Sequence, residues 1–416
     1  MAGTDVIVLG AGMVGVSTAL HLQKRGQAVV LVDRRGAGEE TSYGNTGIIQ
    51  REGVVPYPFP RDARLLLRYA FNQLPESHLD WRALPAIAPW LFRYWRASTA
   101  AAVAATSRRA RPLIERCVVE HETLMGEAGV LGLMRRTGYL RLYHSAPALD
   151  SAMLKDKVAS ETYGVKFEMV SASALGALEP HLKAPLAGAM FMPDPVSVSD
   201  PEAVTKAYAR LFQERGGRFQ RGEAGTLQAT PAGWEVQTAT GSVTAAAVVI
   251  ALGPWSNTIF RRLGYRIPFG VKRGYHMHYR AEGNATLNRP VIDAEHGYAL
   301  TPMTRGIRLT TGAEFALRDA PPSPVQLARV EPLARRIFPL GERLDAEPWL
   351  GRRPCLPDML PAVGRGGRHS GLWFNFGHHH LGFTLGPVTG RLLAEMMTGQ
   401  TPFTDTAPYG PERFGS

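Results

Sequence analysis

The front of the chain sets the narrowest limits on its fold. Val6–Leu9 is a short apolar run that ends in Gly10-Ala11-Gly12-Met13-Val14-Gly15. A helical pattern follows, with Val16, Ala19, Leu20 and Leu22 on one side and Gly26 to close it. A second apolar run, residues 29–32, ends at Asp33. Each glycine of such a turn has its own task. Gly10 permits the sharp exit from the strand, Gly12 lets a pyrophosphate approach the backbone, and Gly15 lets helix and strand pack closely. The helix N-terminus then offers N–H groups and a positive dipole end to phosphate. Asp33, about twenty residues on, stands where a carboxylate accepts hydrogen bonds from a ribose. A glycine-rich turn alone says little. Strand, turn, helix, strand and acid in this order specify a βαβ unit that binds a dinucleotide.

Composition narrows the class further. The 416 residues, 45% hydrophobic and 20% charged, suit a globular protein with room for two domains. Two cysteines, Cys117 and Cys355, exclude a disulfide framework and fit a reducing compartment. The N-terminus shows no basic leader with a cleavage site, and no apolar stretch reaches the length of a membrane span, so a cytoplasmic protein is expected. The net charge is +11. Its arginines are scattered and form no single stripe, which argues against a nucleic-acid partner. An anionic substrate or a membrane face would also exploit the charge, but an arginine-favouring composition accounts for it most simply.

Further along, residues 34–48 are rich in Gly, Ser, Thr and Asn, a loop that can wrap a long ligand with N–H and hydroxyl donors. Residues 54–112 alternate prolines with short aromatic and arginine-rich pieces, among them Trp81, Trp90, Phe92, Tyr94 and Trp95. These read either as an interface patch or, more simply, as cap helices packed on their own domain. Helices are predicted over 100–105, 111–128, 203–215, 326–338 and 387–398. Strands are predicted over 138–144, 188–192, 246–250, 275–279, 298–301, 307–310 and 372–376. His378, His379 and His380 are adjacent on a loop and cannot all face one ion, so no metal is expected.

Two C-terminal segments carry a resemblance. Gly351-Arg352-Arg353-Pro354-Cys355-Leu356-Pro357-Asp358-Met359-Leu360-Pro361-Ala362-Val363-Gly364 resembles the GxRP-containing signature of the D-amino-acid oxidase family. So does Gly377-His378-His379-His380-Leu381-Gly382-Phe383-Thr384-Leu385-Gly386-Pro387. With the N-terminal fingerprint, Ser42-Tyr43-Gly44-Asn45 and the segment 248–255, the similarity spans nearly the whole chain. It is strongest to the bacterial D-amino-acid dehydrogenase branch, with glycine oxidase as a cousin.

The resemblance implies an α/β fold: a Rossmann-like FAD-binding domain interrupted by an α+β substrate domain with a mixed or antiparallel sheet. The expected division is 1–53, 150–255 and 350–416 for the cofactor, and 54–149 and 256–349 for the substrate. It implies non-covalent FAD held by Gly10, Gly12, Met13, Val14, Gly15, Asp33, Arg34, Thr41, Ser42, Asn45, Thr46, Gly47, Gly225, Ala251, Leu252, Gly253, Gly382, Phe383 and Thr384. The Gly382-Phe383-Thr384 helix start would stabilise negative charge on reduced flavin. Arg353 would fork onto the substrate carboxylate, with Tyr298 as phenol donor, Tyr275 as a second, and His380 where glycine oxidase has an arginine. The implied reaction is oxidative deamination of a D-amino acid, with hydride passing from the alpha carbon to flavin N5. Electrons would go to a quinone or respiratory-chain acceptor, with peripheral contact at the inner face of the membrane. Two alternatives stay open within enzymes: an oxygen-using oxidase of glycine or D-amino acids, and a dehydrogenase of D-proline, D-hydroxyproline or sarcosine. A flavin-holding electron-transfer subunit is the alternative outside them, and Arg353 speaks against it.

Overall fold

The computed structural model describes residues 3–183 and 185–415. Met1, Ala2 and Ser416, the ends of the expected cofactor domain, lie outside the described residues. The elements that frame the site are, in chain order, β1 (Val6–Leu9), α1 (Met13–Gln23), β2 (Val29–Asp33), α2 (Ala100–Glu127), β3 (Arg218–Arg221), β4 (Ala247–Ile250), β5 (Gly270–Ala281), β6 (Tyr298–Met303), β7 (Trp349–Cys355), β8 (Ala362–Arg365), β9 (Leu372–Phe376) and α3 (Gly382–Met397).

The first sheet runs β3-β2-β1-β4-β9-β8 and is parallel except for β8, which turns back along β9. Val8 of β1 lies between Leu31 and Val249. Its central strands β1, β2 and β4 are apolar on both faces because both are covered. Val6, Val8, Val29 and Leu31 face one core with α1 and α3. Ile7, Leu9, Val30 and Val32 face a second core with Trp234, Ile250 and Phe374. The α3 helix lies on α1 at very short range. A methyl on Gly390 would stand 2.8 Å from the backbone of Ser17 and Thr18, and one on Gly386 would stand 2.7 Å from Met13 Cγ.

The second sheet has eleven strands and is mixed. Its long member β5 pairs antiparallel with Gly306–Thr310 on one side and with β7 on the other. Parallel pairs occur at Val291–Asp293 beside Tyr139–Tyr143 and at Ala313–Phe315 beside Ser77–Leu79. The expected boundary at 350 falls inside β7 of this sheet, and that at 150 inside the helix Ala146–Tyr163, which lies between two of its strands in the chain. Glu168–Ser171, Gly188–Met192 and β7 all pair within the sheet, where the sequence placed them with the cofactor domain.

Two helices differ from expectation. Residues 100–105 and 111–128 form one helix, α2, which continues through Pro112; the Tyr409 hydroxyl donates to the Arg109 carbonyl one turn earlier. The α3 helix starts at Gly382, five residues before Pro387. Proline has no N–H to give the carbonyl four residues back, and here that carbonyl, Phe383 O, is taken by His121 Nε2 at 2.8 Å. The aromatic stretch at 81–95 divides: Trp90 and Tyr94 are buried, whereas Trp81 and Phe92 stay exposed.

Candidate active site

A single cavity of about 2120 Å³ runs from the tip of β1 to the face of the second sheet. That is more than the ~300–1,000 Å³ that suits one drug-sized ligand, so the cavity has room for more than one small molecule.

At its β1 end the backbone does the shaping. Gly10 has φ +105°, and a Cβ there would meet the Ala251 carbonyl oxygen at 2.5 Å. A Cβ on Gly15 would come within 1.7 Å of the Gly10 oxygen, so helix and strand touch through that glycine. Gly12, in contrast, would meet only Ser42 Oγ at 3.4 Å and leaves its approach open. Ser42 Oγ accepts from Met13 N at 2.9 Å, tying the 34–48 loop to the start of α1. The Asp33 carboxylate accepts from Ala11 N at 2.7 Å and Arg35 N at 2.9 Å. Burial raises its pKa while those two N–H groups oppose the shift. Arg34 lies 4.5 Å over the Trp255 ring.

Of the residues expected to hold FAD, all but Gly15, Gly47 and Thr384 line this cavity. Those three act behind the wall. Gly47 has φ +75° and packs on the Val198 carbonyl. Thr384 Oγ1 donates to the Ile48 carbonyl and accepts from Gln50 N, fixing the wall strand to the start of α3. This glycine cradle, helix start and buried carboxylate suit the phosphates and ribose of a dinucleotide.

At the other end, Arg353, Tyr298, Tyr275 and His380 all line the cavity. Arg353 reaches it across Gly274, where a Cβ would stand 2.7 Å from Arg353 Nη2. Its guanidinium donates to the Gly312 carbonyl at 2.7 Å and the Thr311 carbonyl at 3.2 Å, and meets no carboxylate among the described residues. Burial lowers its pKa. The Tyr298 hydroxyl is buried and makes no hydrogen bond of normal geometry. Burial, then the nearby Asp293 carboxylate, raise its pKa. Asp293 Oδ2 takes both His144 Nε2 and His296 Nδ1 at 2.9 Å.

Tyr275, expected as a second phenol donor, has its hydroxyl already engaged. Its hydroxyl accepts from Ser323 N at 2.7 Å and Arg273 Nη2 at 2.9 Å, and donates to Glu314 Oε2 at 3.0 Å. That capacity is used up inside the sheet, and the geometry gives Tyr275 a structural role. The three histidines diverge as well. His378 Nε2 meets Thr389 Oγ1, His379 Nε2 meets the Leu356 carbonyl, and His380 faces the cavity beside the Tyr57 ring. Burial, then Arg353 and Lys272, push His380 down to about 3, so its imidazole is neutral.

Sequence reasoning missed Glu52 and Lys272. Glu52 follows the Ile48–Ile49 strand and lines the cavity, its Oε1 accepting from Tyr139 at 2.9 Å and Gln50 Nε2 at 3.1 Å. Its second oxygen is buried without a partner, and burial raises its pKa. Lys272 stands on β5 directly opposite Arg353. The strand expected at 275–279 in fact begins at Gly270 and takes in Lys272; nothing in the sequence showed that its face meets a cavity.

The geometry agrees with what the chain is similar to. The family model described as DAO, FAD dependent oxidoreductase, matches residues 5–396. A D-amino acid dehydrogenase of Cereibacter sphaeroides is 32% identical over 98% of this chain and 95% of its own. A D-amino-acid oxidase of Bradyrhizobium diazoefficiens is 29% identical over 99% of both. Glycine oxidase from Geobacillus kaustophilus superposes with a TM-score of 0.74 at 22% identity over 99% of both chains, which shows the shared fold. The protein therefore belongs to the DAO family of FAD dependent oxidoreductases, and the strand–glycine–helix unit at its front and the arginine-lined chamber behind it are this chain's version of that scaffold.

Proposed function

We propose that the protein oxidises the Cα–N bond of a D-amino acid, giving an imino acid that hydrolyses to a 2-keto acid and ammonia. One observation carries the reading: Arg353 presents a guanidinium to the cavity that, among the described residues, is anchored only by two carbonyls, the arrangement a carboxylate ligand completes in bidentate fashion. Tyr298 supports it with a buried hydroxyl on the same cavity that makes no hydrogen bond of normal geometry, a donor for the second carboxylate oxygen. His380 stays neutral and adds no third positive charge beside the substrate amine. FAD, held non-covalently, supplies the two-electron acceptor when bound. The chain's part is to hold the carboxylate so that Cα–H has one orientation, which removes much of the entropic barrier.

The expected division into a cofactor domain and a substrate domain is retained as part of this reading, with β7 and Gly188–Met192 assigned to the substrate side by their strand pairing. A quinone is the proposed electron acceptor. The exposed Leu67, Phe71, Trp81 and Phe92, set among arginines, support a peripheral contact at the inner face of the membrane. No helix among the described residues is long and apolar enough to cross a membrane.

The test is anaerobic addition of D-amino acids, glycine, sarcosine and D-proline to the flavin-loaded protein. Bleaching by D-amino acids is expected, and no bleaching by any of them sinks the proposal. Under air, peroxide formation that outpaces reduction of a soluble quinone would replace the dehydrogenase by an oxidase.

A further inference from the structure

Lys272 and Arg353 are direct partners in the antiparallel pairing of β5 and β7. Residues opposed in this way project from the same face with Cβ atoms about 4.5–5.5 Å apart, and like charges so placed repel. Both line the cavity. Three other buried or half-buried cations of this sheet are closed by carboxylates: Arg273 by Glu314 at 2.7 Å, Arg289 by Glu179 at 3.0 Å, and Arg141 by Asp156; Arg308 is closed by His278 Nε2 and the Tyr43 and Asn45 carbonyls. Lys272 and Arg353 have no such partner among the described residues. Lys272 Nζ donates once, to the Tyr94 hydroxyl at 3.0 Å, which leaves two of its three N–H donors.

The surroundings of Lys272 hold it in place. Its Nζ lies 4.3 Å from the Tyr94 ring centroid, 5.6 Å from Phe315 and 6.0 Å from Trp90. Tyr94 is fixed by donation to the Tyr57 carbonyl, and Trp90 Nε1 donates to the Cys355 carbonyl at 3.2 Å. The ammonium is therefore positioned by rigid aromatic walls, which keep water from screening it and strengthen its attraction for an anion. His380 faces the same space and is kept neutral partly by both cations. A substrate with one carboxylate satisfies one of the pair. A substrate with two satisfies both.

We propose that Lys272 binds a side-chain carboxylate, so that the chamber selects acidic D-amino acids, D-aspartate and D-glutamate, over neutral ones. This rests on the reading that Arg353 holds the α-carboxylate.

The experiment compares each acid with its isosteric amide. Flavin reduction by D-glutamate against D-glutamine, and by D-aspartate against D-asparagine, is measured in the FAD-loaded enzyme, in Lys272→Met and in Lys272→Arg. The acid-over-amide ratio in kcat/KM should exceed ten in the wild type, collapse towards one in Lys272→Met and survive in Lys272→Arg. As a readout without turnover, glutarate should raise the melting temperature at least ten-fold more potently than butyrate, and Lys272→Met should abolish the difference. Equal use of acid and amide by the wild type overturns the inference, as does an acid preference that outlives Lys272→Met. Reduction by D-alanine or D-glutamine without acid preference removes only this inference. Absence of reduction by every D-amino acid removes the reading beneath it too.

Discussion

The two ends of the cavity are built by different means. At the nucleotide end the backbone makes the site: glycines clear the space, α1 presents its first N–H groups, and one carboxylate is oriented by the N–H groups of Ala11 and Arg35. At the substrate end side chains make it. Arg353 and Lys272 meet only because β5 and β7 pair in one register, and Tyr298 arrives on β6 from a third strand. A backbone site is compact in sequence and intolerant of added atoms. A side-chain site is dispersed in sequence and tolerates change one residue at a time. The contrast predicts that damage at the first end removes the fold or the cofactor, whereas damage at the second removes selectivity or rate.

The sharpest way to break that contrast is Gly15→Ala. Its methyl would lie 1.7 Å from the Gly10 oxygen, backbone against backbone, so a loss of roughly 4 kcal/mol or more is expected. The protein should emerge insoluble or free of flavin. A yellow Gly15→Ala protein with a wild-type unfolding midpoint would contradict the close contact of strand and helix.

Next in size is Arg353→Met. The variant should keep flavin, since Arg353 lies at the other end, and lose about 3 kcal/mol of carboxylate binding, some 10²-fold in kcat/KM for D-amino acids. If flavin is lost along with rate, the two ends are not separable as described.

Tyr275→Phe tests whether a residue on the cavity wall can be purely structural. Removing a hydroxyl that serves Ser323, Arg273 and Glu314 should cost about 1–3 kcal/mol in denaturant unfolding and leave KM where it was. A large rise in KM with unchanged stability would make Tyr275 a substrate ligand after all.

The smallest effect concerns Glu52. Burial raises its folded pKa, so above the ordinary carboxyl value, about 4.3, the folded state holds a proton that the unfolded chain has released. By linkage, stability then falls as pH rises through that window. Glu52→Gln should remove this component, so the variant's melting temperature should gain on the wild type from about pH 5 upward. A pH-independent difference would show that Glu52 is ionised in the fold at little cost.

The same contrast explains what could be read from the sequence. The front unit was legible because its physics is local: Gly10, Gly15 and Asp33 act within one βαβ turn, and each sits as its spacing demands. Arg353 and His380 were legible only through resemblance, since nothing near Arg353 in sequence says which strand it faces. Lys272 was invisible for that reason, because the residue it stands opposite lies 81 positions away in the chain. The early start of α3 was hidden likewise. Pro387 argues for a helix beginning there, and the group that supports Phe383 O in place of the missing N–H is His121, on a different helix. Tyr275 shows the opposite error: an aromatic on the right strand, whose hydroxyl is spoken for by a buried arginine and glutamate that sequence order does not connect.

Gly386 and Gly390 let the last helix rest directly on the first. The start of α1 and the start of α3 are thereby welded into one bracket, clamped at a joint with no room for a side chain. Neither jaw can be refitted to a different nucleotide without dragging the other. On the proposed reading, a change of selectivity enters through the strands instead, by exchanging Lys272, which stands opposite Arg353.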